Sequence, residues 1–248
     1  MTEPRSPDPT PMTRALETLG RLSLRELSIE QLLQTITELA LTVTSGDAES
    51  SVTLVVKGEA ASTVASSGRM ATALDERQYE GNVGPCLQSA RSGEIIEITD
   101  ARTDDRWGDY TGHAVDIGML SSLSIPLEID RDRQVTAALN IYARQAHAFD
   151  DAGRAAATSF GAYAAVATAN LHAYQAAQEA ADNLQIALTS RATIDQAKGI
   201  LMERHRLTAD QAFQVLAEVS MSANIKVREV ADQLVRTGEL PIRRPSRR

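Results

Sequence analysis

The stretch "RATIDQAKGILMERHRLTADQAFQVLAEVSMSANIKVREVADQLV", from Arg191 to Val235, decides how the carboxy-terminal part of the chain folds. Its apolar residues recur at steps of three and four, which is the spacing of one helix face. Thr208 followed by Gln211 fits a capping box, in which a hydroxyl and an amide satisfy free amide groups at a helix start. These signals predict three helices joined by two short turns.

Each of these helices has an apolar face that we assign to a common core. The first contributes Ile194, Ala197 and Leu201, and the second contributes Ala212, Phe213, Leu216 and Val219. The third starts near Ser222 or Asn224 and contributes Val227, Val230, Ala231, Leu234 and Val235. Gly238 and Pro241 end it, because both residues favour helix termination.

Another face of the first helix carries Arg191, Asp195 and Lys198, with Gly199 next to the lysine. Glycine in a helix interior is about 1 kcal/mol less favourable than alanine. It also removes a side chain, so a partner backbone or base can come close. Spacing alone leaves two interpretations open: a solvated charged face with a tolerated glycine, or a contact surface.

The chain from Asp151 to His205 is rich in alanine and contains no proline, which predicts one helix of about 50 residues. We expect its first part, Asp151 to Leu171, to pack on a sheet. Further along, Ala177, Ala181, Leu184 and Leu188 form a weak seam suited to pairing with a second copy. We therefore predict a dimeric coiled coil from Tyr174 to Leu188, with packing on the sheet as the alternative.

The amino-terminal part combines helix and strand signals. An amphipathic helix is predicted from Thr13 to Thr44, and strands are predicted at Ser51–Gly58, Ala61–Gly68, Glu94–Asp100, Ser121–Ile129 and Gln134–Ala143. The charged turn 130–133 joins the last two strands. Pro126 implies an edge or a bulge, since proline cannot donate to a ladder. Short helices and loops around 84–92 and 104–115 would cover one face, giving an α+β sandwich.

Composition restricts the function classes. The net charge of -8 is uneven: from Ala181 to Arg248 there are 11 Lys and Arg against 8 Asp and Glu, so a mildly basic end follows an acidic body. No apolar run is long enough to span a bilayer, and the Pro-rich start lacks the apolar region of a signal peptide. We expect a cytoplasmic protein with a disordered leader.

Cys86 is the only cysteine. One thiol allows no internal disulfide and no zinc site built from several thiolates, so we expect no metal. Because Cys86 follows Gly84 and Pro85 near a probable helix start, two interpretations remain: a buried structural thiol, or a redox sensor with a lowered pKa.

The quoted stretch resembles an ANTAR domain, the RNA-binding unit of transcription antitermination regulators, in its "AKGILM", "LT", "AF", "SAN" and "REVA" segments. The upstream part resembles a GAF sensor domain through "EGNVGPCLQSARSGEIIEITD" and "SSLSIPL". Chains with this pair in this order resemble GAF and ANTAR regulators of actinobacteria. The expected boundaries are a leader (1–12), a GAF domain with flanking helices (13–171), a coiled-coil linker (172–188), an ANTAR domain (189–240) and a basic tail (241–248).

The resemblance implies a non-enzymatic regulator whose ANTAR domain binds paired stem-loops with hexaloops in nascent leader RNA. Binding would prevent the terminator hairpin, so that RNA polymerase is affected indirectly. Specific RNA recognition mostly targets unpaired bases and needs cations for phosphates. The candidate RNA-binding residues are Arg191, Asp195, Gln196, Lys198, Gly199, Asn224, Lys226 and Arg228. With Phe213 in the core, we expect no aromatic platform for base stacking.

GAF domains hold small molecules between the sheet and its covering loops. Candidate residues for such a ligand pocket are Tyr79, Trp107, His113, Met119 and Asn140; the ligand is unknown. Two copies on a coiled coil would match two RNA loops, and a ligand that binds two states unequally could control them.

Three alternatives remain at this stage. One is a DNA-binding helix-turn-helix regulator with a GAF sensor, although the second and third helices offer few base-reading side chains. A GAF-type methionine sulfoxide reductase is disfavoured, because that chemistry resolves through a second thiol. The third is a dimerising scaffold with a silent GAF fold.

Overall fold

The computed structural model describes residues 8–23, 25–44, 46–130 and 134–241. The chain divides into two compact units between Gln175 and Ala176. The first unit contains α1 (Pro11–Gly20), α2 (Ile29–Val43), β1 (Ala48–Val56), β2 (Ser62–Ser66), α3 (Arg69–Gly81), α4 (Pro85–Ser92), β3 (Ile96–Ile98), α5 (Asp109–Asp116), β4 (Ser121–Asp130) and β5 (Val135–Ala143). The helix α6 (Asp151–His205) begins in the first unit and continues into the second, which also contains α7 (Ala209–Ala223) and α8 (Val227–Thr237).

The five strands form one antiparallel sheet in the order β2-β1-β5-β4-β3. Successive side chains of a strand point to opposite faces, and the two faces differ in character. Val52 and Leu139 are paired neighbours that belong to an apolar cluster with α1, α2 and α6. Ser51 and Asn140 are the adjacent pair on the other face, which α3, α4 and α5 cover. The predicted α+β fold is confirmed.

The predicted amphipathic helix from Thr13 to Thr44 is two helices. The second starts at a capping box, in which the amide of Gln31 donates to Ser28 Oγ (3.2 Å) and the amide of Ser28 donates to Gln31 Oε1 (2.9 Å). The first starts at Pro11, inside the stretch expected to be a leader. A helical pattern alone did not reveal this internal start, because the same apolar spacing continues on both sides of it.

Pro126 lies in β4 opposite Ala138 of β5. On its other side β4 pairs with β3 only from Ser122 to Ser124. Within the described residues, Pro126 therefore lies on a stretch of β4 that has a strand neighbour on one side only. This confirms the edge expected from its missing N–H. Of the predicted turn 130–133, residues 131–133 lie outside the described residues, as do residues 1–7 of the leader and 242–248 of the basic tail.

The first part of α6 packs on the sheet, as predicted for Asp151 to Leu171. Phe160, Ala164 and Leu171 are fully buried in the apolar cluster that also contains Leu139. The helix α3 is not among the predicted elements; it has a low apolar content and is followed by Asn82 in the left-handed conformation. This helix supplies the buried carboxyl described below.

The second unit has its own core, formed by Ala197, Leu201, Ala212, Leu216, Val230, Ala231 and Leu234. The capping box at its second helix is confirmed, because the amide of Gln211 donates to Thr208 Oγ1 (3.3 Å) and the amide of Thr208 donates to Gln211 Oε1 (2.9 Å). The final helix starts after Lys226 rather than at Ser222 or Asn224. It ends at Gly238, whose carbonyl accepts a hydrogen bond from Arg204 of α6.

Candidate functional site

The outer face of α6 carries the charged stripe predicted from the sequence. Arg191 and Asp195 are exposed, and Lys198 Nζ donates to Asp195 Oδ1 at 3.1 Å. The side chain of Lys198 is 24% exposed and that of Asp195 is 57% exposed. A helical pair three residues apart contributes only about 0.2–0.5 kcal/mol. Stability of the helix therefore does not explain the stripe.

Gly199 is exposed next to this stripe, and no contact with the described residues requires a glycine there. A Cβ atom at this position would meet nothing within 4 Å. Its backbone is also outside the positive φ range that favours glycine. Glycine here lowers helix stability by about 1 kcal/mol relative to alanine. The residue leaves an open surface on which another molecule can approach the α6 backbone.

The remaining candidates for nucleic-acid contact lie elsewhere on the three-helix unit. Gln196 is exposed on α6, and Arg228 is exposed in the first turn of α8. Asn224 ends α7 with φ 55°, and its amide donates to the carbonyl of Ser220. Asparagine tolerates this left-handed conformation better than most residues, so Asn224 has a structural reason to be present. Lys226, also exposed, is the residue immediately before α8. The structure thus gives one group on α6 and a second at the α7–α8 turn.

Phe213 does not belong to the core, and that prediction is wrong. It is 45% exposed, whereas Ala212 and Leu216 on the same helix are fully buried. One residue corresponds to about 100° of rotation around a helix, so the neighbour of an inward residue turns toward the surface. Met221 of α7 is also exposed, at 75%. The unit therefore presents an aromatic ring at its surface, contrary to the expectation that it has none.

The first unit contains a buried polar network between the sheet and α3. Asp75 is fully buried and accepts hydrogen bonds from Tyr142 Oη (2.5 Å) and Thr63 Oγ1 (2.9 Å). Asn140 Nδ2 donates to Thr53 Oγ1 (3.0 Å) and lies 3.5 Å from Asp75 Oδ1. Burial raises the pKa of the Asp75 carboxyl to about 6, against the opposing hydrogen bonds, of which that from Tyr142 is the strongest. Sequence reasoning missed Asp75, because no local pattern marks a buried acid in an unpredicted helix.

A glycine lets this network reach α4. Gln78 Oε1 accepts a hydrogen bond from the amide of Cys86 at 2.9 Å. A Cβ on Gly84 would lie 2.2 Å from that same Oε1, and Gly84 has φ 148°. No other residue fits there without displacing Gln78. Gln78 also donates to Tyr142 Oη at 3.2 Å, so α3, α4 and β5 are joined through one amide side chain.

Cys86 is a buried thiol, the first of the two interpretations left open by the sequence. Its side chain is fully buried, and burial raises its pKa well above the ordinary value. A reactive thiol needs a lowered pKa and access to solvent. The surroundings of Cys86 supply neither.

The five residues predicted to line a ligand pocket are divided among different environments. Tyr79 and Asn140 belong to the polar network, since Tyr79 Oη donates to Thr53 Oγ1 at 3.0 Å. Trp107 and Met119 are buried in the apolar cluster under α5, and the guanidinium of Arg106 lies 4.2 Å from the centre of the Trp107 ring. His113 is half-buried in the last turn of α5. A surface cleft of about 430 Å³ includes Trp107 and the start of α4 but none of the other four.

Within residues 8–23, 25–44, 46–130 and 134–241, no cluster of three or more His, Cys, Asp or Glu side chains is placed to hold a metal ion. In the same part of the chain, no helix has both the length and the apolar content needed to cross a membrane.

Comparison with known proteins assigns both units to families. The GAF domain family matches residues 26–169, and the ANTAR domain family matches residues 182–235. No curated protein sequence matches the chain.

Several solved structures are similar to this chain. The GAF domain of a phosphoenolpyruvate-protein phosphotransferase from Coxiella burnetii is 18% identical, with a TM-score of 0.48 over 66% of this chain and 96% of that chain. The fRMsr of Staphylococcus aureus is 15% identical, with a TM-score of 0.48 over 68% of this chain and 99% of that chain. The blue-light absorbing PixJ GAF domain of Thermosynechococcus elongatus is 12% identical, with a TM-score of 0.47 over 61% and 91% of the two chains. Similarity at this level carries no functional argument.

The GAF match covers more than half of the chain, and the ANTAR match covers the three-helix unit with the charged stripe. The chain belongs to the GAF domain family and carries an ANTAR domain at its carboxy-terminal end.

Proposed function

We propose that this protein is an RNA-binding transcription antitermination regulator, in which the GAF domain controls the ANTAR domain. The observation that carries the proposal is the open surface at Gly199 beside Lys198, inside the ANTAR match. The ANTAR core is complete without either residue. Neither residue is needed by that core, so this surface can serve a partner, and ANTAR domains are known as RNA-binding antiterminators.

The proposed RNA partner is a leader transcript with paired stem-loops that carry hexaloops. Lys198 supplies a compact positive charge for a phosphate, and Arg191 supplies a planar group that can stack on a base or donate to it. Gly199 lets the RNA backbone approach α6. Gln196 and Asn224 supply amide groups for base edges, and Lys226 and Arg228 add cations at the α7–α8 turn. Binding would stabilise the stem-loops against the overlapping terminator.

We further propose that the protein is a homodimer through the second part of α6. Ala177, Ala181, Leu184 and Leu188 are all exposed, and the two leucines are 61% and 56% exposed. A heptad-like seam of exposed leucines is typical of a helix that pairs with a copy of itself. Two linked ANTAR domains would bind two loops of one RNA with an affinity well above that of either alone.

The dimer proposal has a matched test. Leu184→Glu places a charge in the seam, whereas Ile186→Glu places one at a residue that is 51% exposed but lies two positions away, on another side of the helix. Mass measurement by light scattering is expected to give a monomer for the first variant and a dimer for the second. A dimer in both would contradict the coiled coil.

The GAF domain is proposed to act as the sensor, through a small molecule whose class the sequence does not specify. The protein is proposed to act in the cytoplasm without catalysis, as expected of a GAF and ANTAR regulator.

The proposal is tested by filter binding of the full chain to a leader RNA with paired hexaloops. Duplex DNA of the same sequence, and the same RNA with the second loop replaced, serve as matched controls. We expect tight binding to the paired RNA, weaker binding to the single loop, and affinity that falls with salt as phosphate contacts require. Tighter binding to the duplex DNA would favour the helix-turn-helix alternative instead.

A further inference from the structure

Two tyrosines near Asp75 differ in their hydrogen bonds: within the described residues the Tyr142 hydroxyl has partners and the Tyr110 hydroxyl has none. Tyr142 has one hydroxyl proton, which it donates to Asp75 Oδ1, while its oxygen accepts from Gln78 Nε2. Tyr110 of α5 lies in the same apolar cluster as Tyr142. Its hydroxyl is buried near that of Tyr142, and within the described residues it makes no hydrogen bond of ordinary geometry. A buried hydroxyl without a partner destabilises the fold, so Tyr110 needs an explanation.

We propose that Asp75, Tyr142 and Tyr110 form a proton-operated switch in the GAF domain. When Asp75 takes a proton from solvent at Oδ1, its carboxyl becomes a donor, and the hydrogen bond to Tyr142 reverses. Tyr142 then accepts from both Asp75 and Gln78, and its own proton is donated to Tyr110. Asp75 loses one negative charge, and the proton count of the two tyrosines is unchanged. The unpartnered Tyr110 is the acceptor that the protonated state uses.

None of the described groups that face Asp75 is a cation that could neutralise its charge. Among the described residues, no Lys, Arg or His hydrogen-bonds to it or pairs with it. Its titratable neighbours are all acids: Tyr79 on α3, Cys86 on α4, Tyr110 on α5 and Tyr142 on β5. Near Asp75 the strands β1 and β2 contribute only hydroxyl groups, which belong to Ser51, Thr53 and Thr63. Two further carboxylates lie nearby, Glu76 on α3 and Glu49 of β1, which accepts from the amide of Ala71.

A buried carboxylate without a cation binds a proton more readily than an exposed one. Burial accordingly raises the pKa of Asp75 to about 6 in the folded domain, above the value of about 3.9 in an unfolded chain. The folded domain therefore holds this proton more tightly than the unfolded chain does. The stability that the proton adds is present below about pH 4 and is lost as pH rises through 6.

The switch connects three elements of the sensor. Asp75 lies on α3, Tyr142 lies on β5, which is followed by α6, and Tyr110 lies on α5. In the ionised state the Tyr142 hydroxyl donates to Asp75 of α3 and accepts from Gln78 of α3; in the protonated state it accepts from both of these residues and donates to Tyr110 of α5. Trp107, the single tryptophan, packs in the cluster with Tyr110 and Tyr142, so its fluorescence reports on this change. The inference is independent of RNA binding, since both its groups and its readout lie in the GAF domain.

The experiment is a titration of the full chain from pH 4.5 to 8, followed by Trp107 fluorescence and by hydrogen exchange of the α5 amides. We expect one transition with a midpoint near 6, with slower exchange in α5 on the acid side. Asp75→Asn keeps the shape of the side chain but cannot ionise, and the transition is expected to disappear. A transition that persists in Asp75→Asn, or the absence of any transition between pH 5 and 7 in the unaltered protein, would overturn the proposal.

Tyr110→Phe separates the switch from simple burial of an acid. It removes the acceptor of the protonated state, so the midpoint is expected to fall by about half a pH unit or more. Tyr163→Phe is the matched control, because Tyr163 is 56% exposed on α6, and its midpoint is expected to equal that of the unaltered protein. Equal midpoints in all three proteins would rule out the transfer of the hydrogen bond to Tyr110.

Discussion

The two domains place their polar side chains differently. In the ANTAR domain Arg191, Asp195 and Gln196 are exposed outside an apolar core that is complete without them. In the GAF domain Asp75, Asn140 and Tyr142 are fully buried between the sheet and its covering helices. Exposed polar groups affect stability little, whereas buried ones depend on every partner. We therefore expect the two sets to respond differently to substitution: the first through binding, the second through stability.

The largest effect is expected in the apolar core of the ANTAR domain. Leu216→Ala removes a fully buried side chain and should lower the free energy of unfolding by about 2–5 kcal/mol. Phe213→Ala removes a larger side chain that is 45% exposed, so its loss should be clearly smaller. Hydrogen exchange of the α7 amides measures both. Equal losses of unfolding free energy in the two variants would indicate that Phe213 belongs to the core.

A smaller but still large effect is expected in the GAF network. Asn140→Ala removes one buried donor from Ser51 and Thr53, leaving Thr53 the hydrogen bond from Tyr79, and loss of buried hydrogen bonding lowers stability by about 1–3 kcal/mol. Gln196→Ala on the exposed ANTAR face is the contrasting variant and should change stability by about 0.5 kcal/mol or less. Hydrogen exchange of each domain in the full chain resolves the two. Similar losses in both would remove the contrast between the domains.

The capping box of α7 should have an intermediate effect. Thr208→Ala removes the hydroxyl that accepts from the amide of Gln211, and loss of such a cap typically lowers stability by about 1 kcal/mol. Thr208→Ser keeps the hydroxyl and is expected to behave like the unaltered protein in urea denaturation. If both variants lose equal stability, the hydroxyl is not responsible.

The change in stability predicted for Gly199 is opposite in sign to the others. Gly199→Ala adds a Cβ that meets nothing within 4 Å, so it should stabilise α6 by about 1 kcal/mol. The same methyl group occupies the surface proposed for RNA, and the affinity for paired-hexaloop RNA should fall. Thermal unfolding and filter binding on the same preparation test this. Improved stability with unchanged affinity would mean that Gly199 is only a tolerated glycine.

Local patterns explain which parts of the fold were predictable. The capping pair Thr208 and Gln211 and the alanine-rich run to His205 are short-range signals, and both features occur as expected. The prediction for Phe213 is wrong because apolar character does not by itself mean burial, and its neighbour Ala212 is the inward residue. Exposed hydrophobic residues are common on folded proteins, so composition could not separate the two.

The charged stripe on α6 and the network of Asp75 also differ in how far their geometry could be predicted from the sequence. The stripe of Arg191, Asp195 and Lys198 follows from helical spacing, so its geometry was readable from the sequence. The network of Asp75 joins residues from five separate elements, with Asn140 contacting residues 65 to 89 positions away. Such a site depends on strand register and helix packing, neither of which a single sequence specifies. Of its members, Tyr79 and Asn140 were expected at a ligand pocket, and Asp75 was not expected at all.

The most direct test of the central claim, that the outer face of α6 binds RNA and does not support the fold, uses a reversal of charge. Lys198→Glu is compared with Lys57→Glu, which makes the same change at an exposed residue of the GAF domain. Filter binding of the full chain to paired-hexaloop RNA should show a loss of about tenfold or more for Lys198→Glu, since a phosphate contact becomes a repulsion. Lys57→Glu should bind like the unaltered protein, and both variants should keep the same thermal unfolding and the same mass in solution. Equal RNA affinity of the two variants would contradict the account.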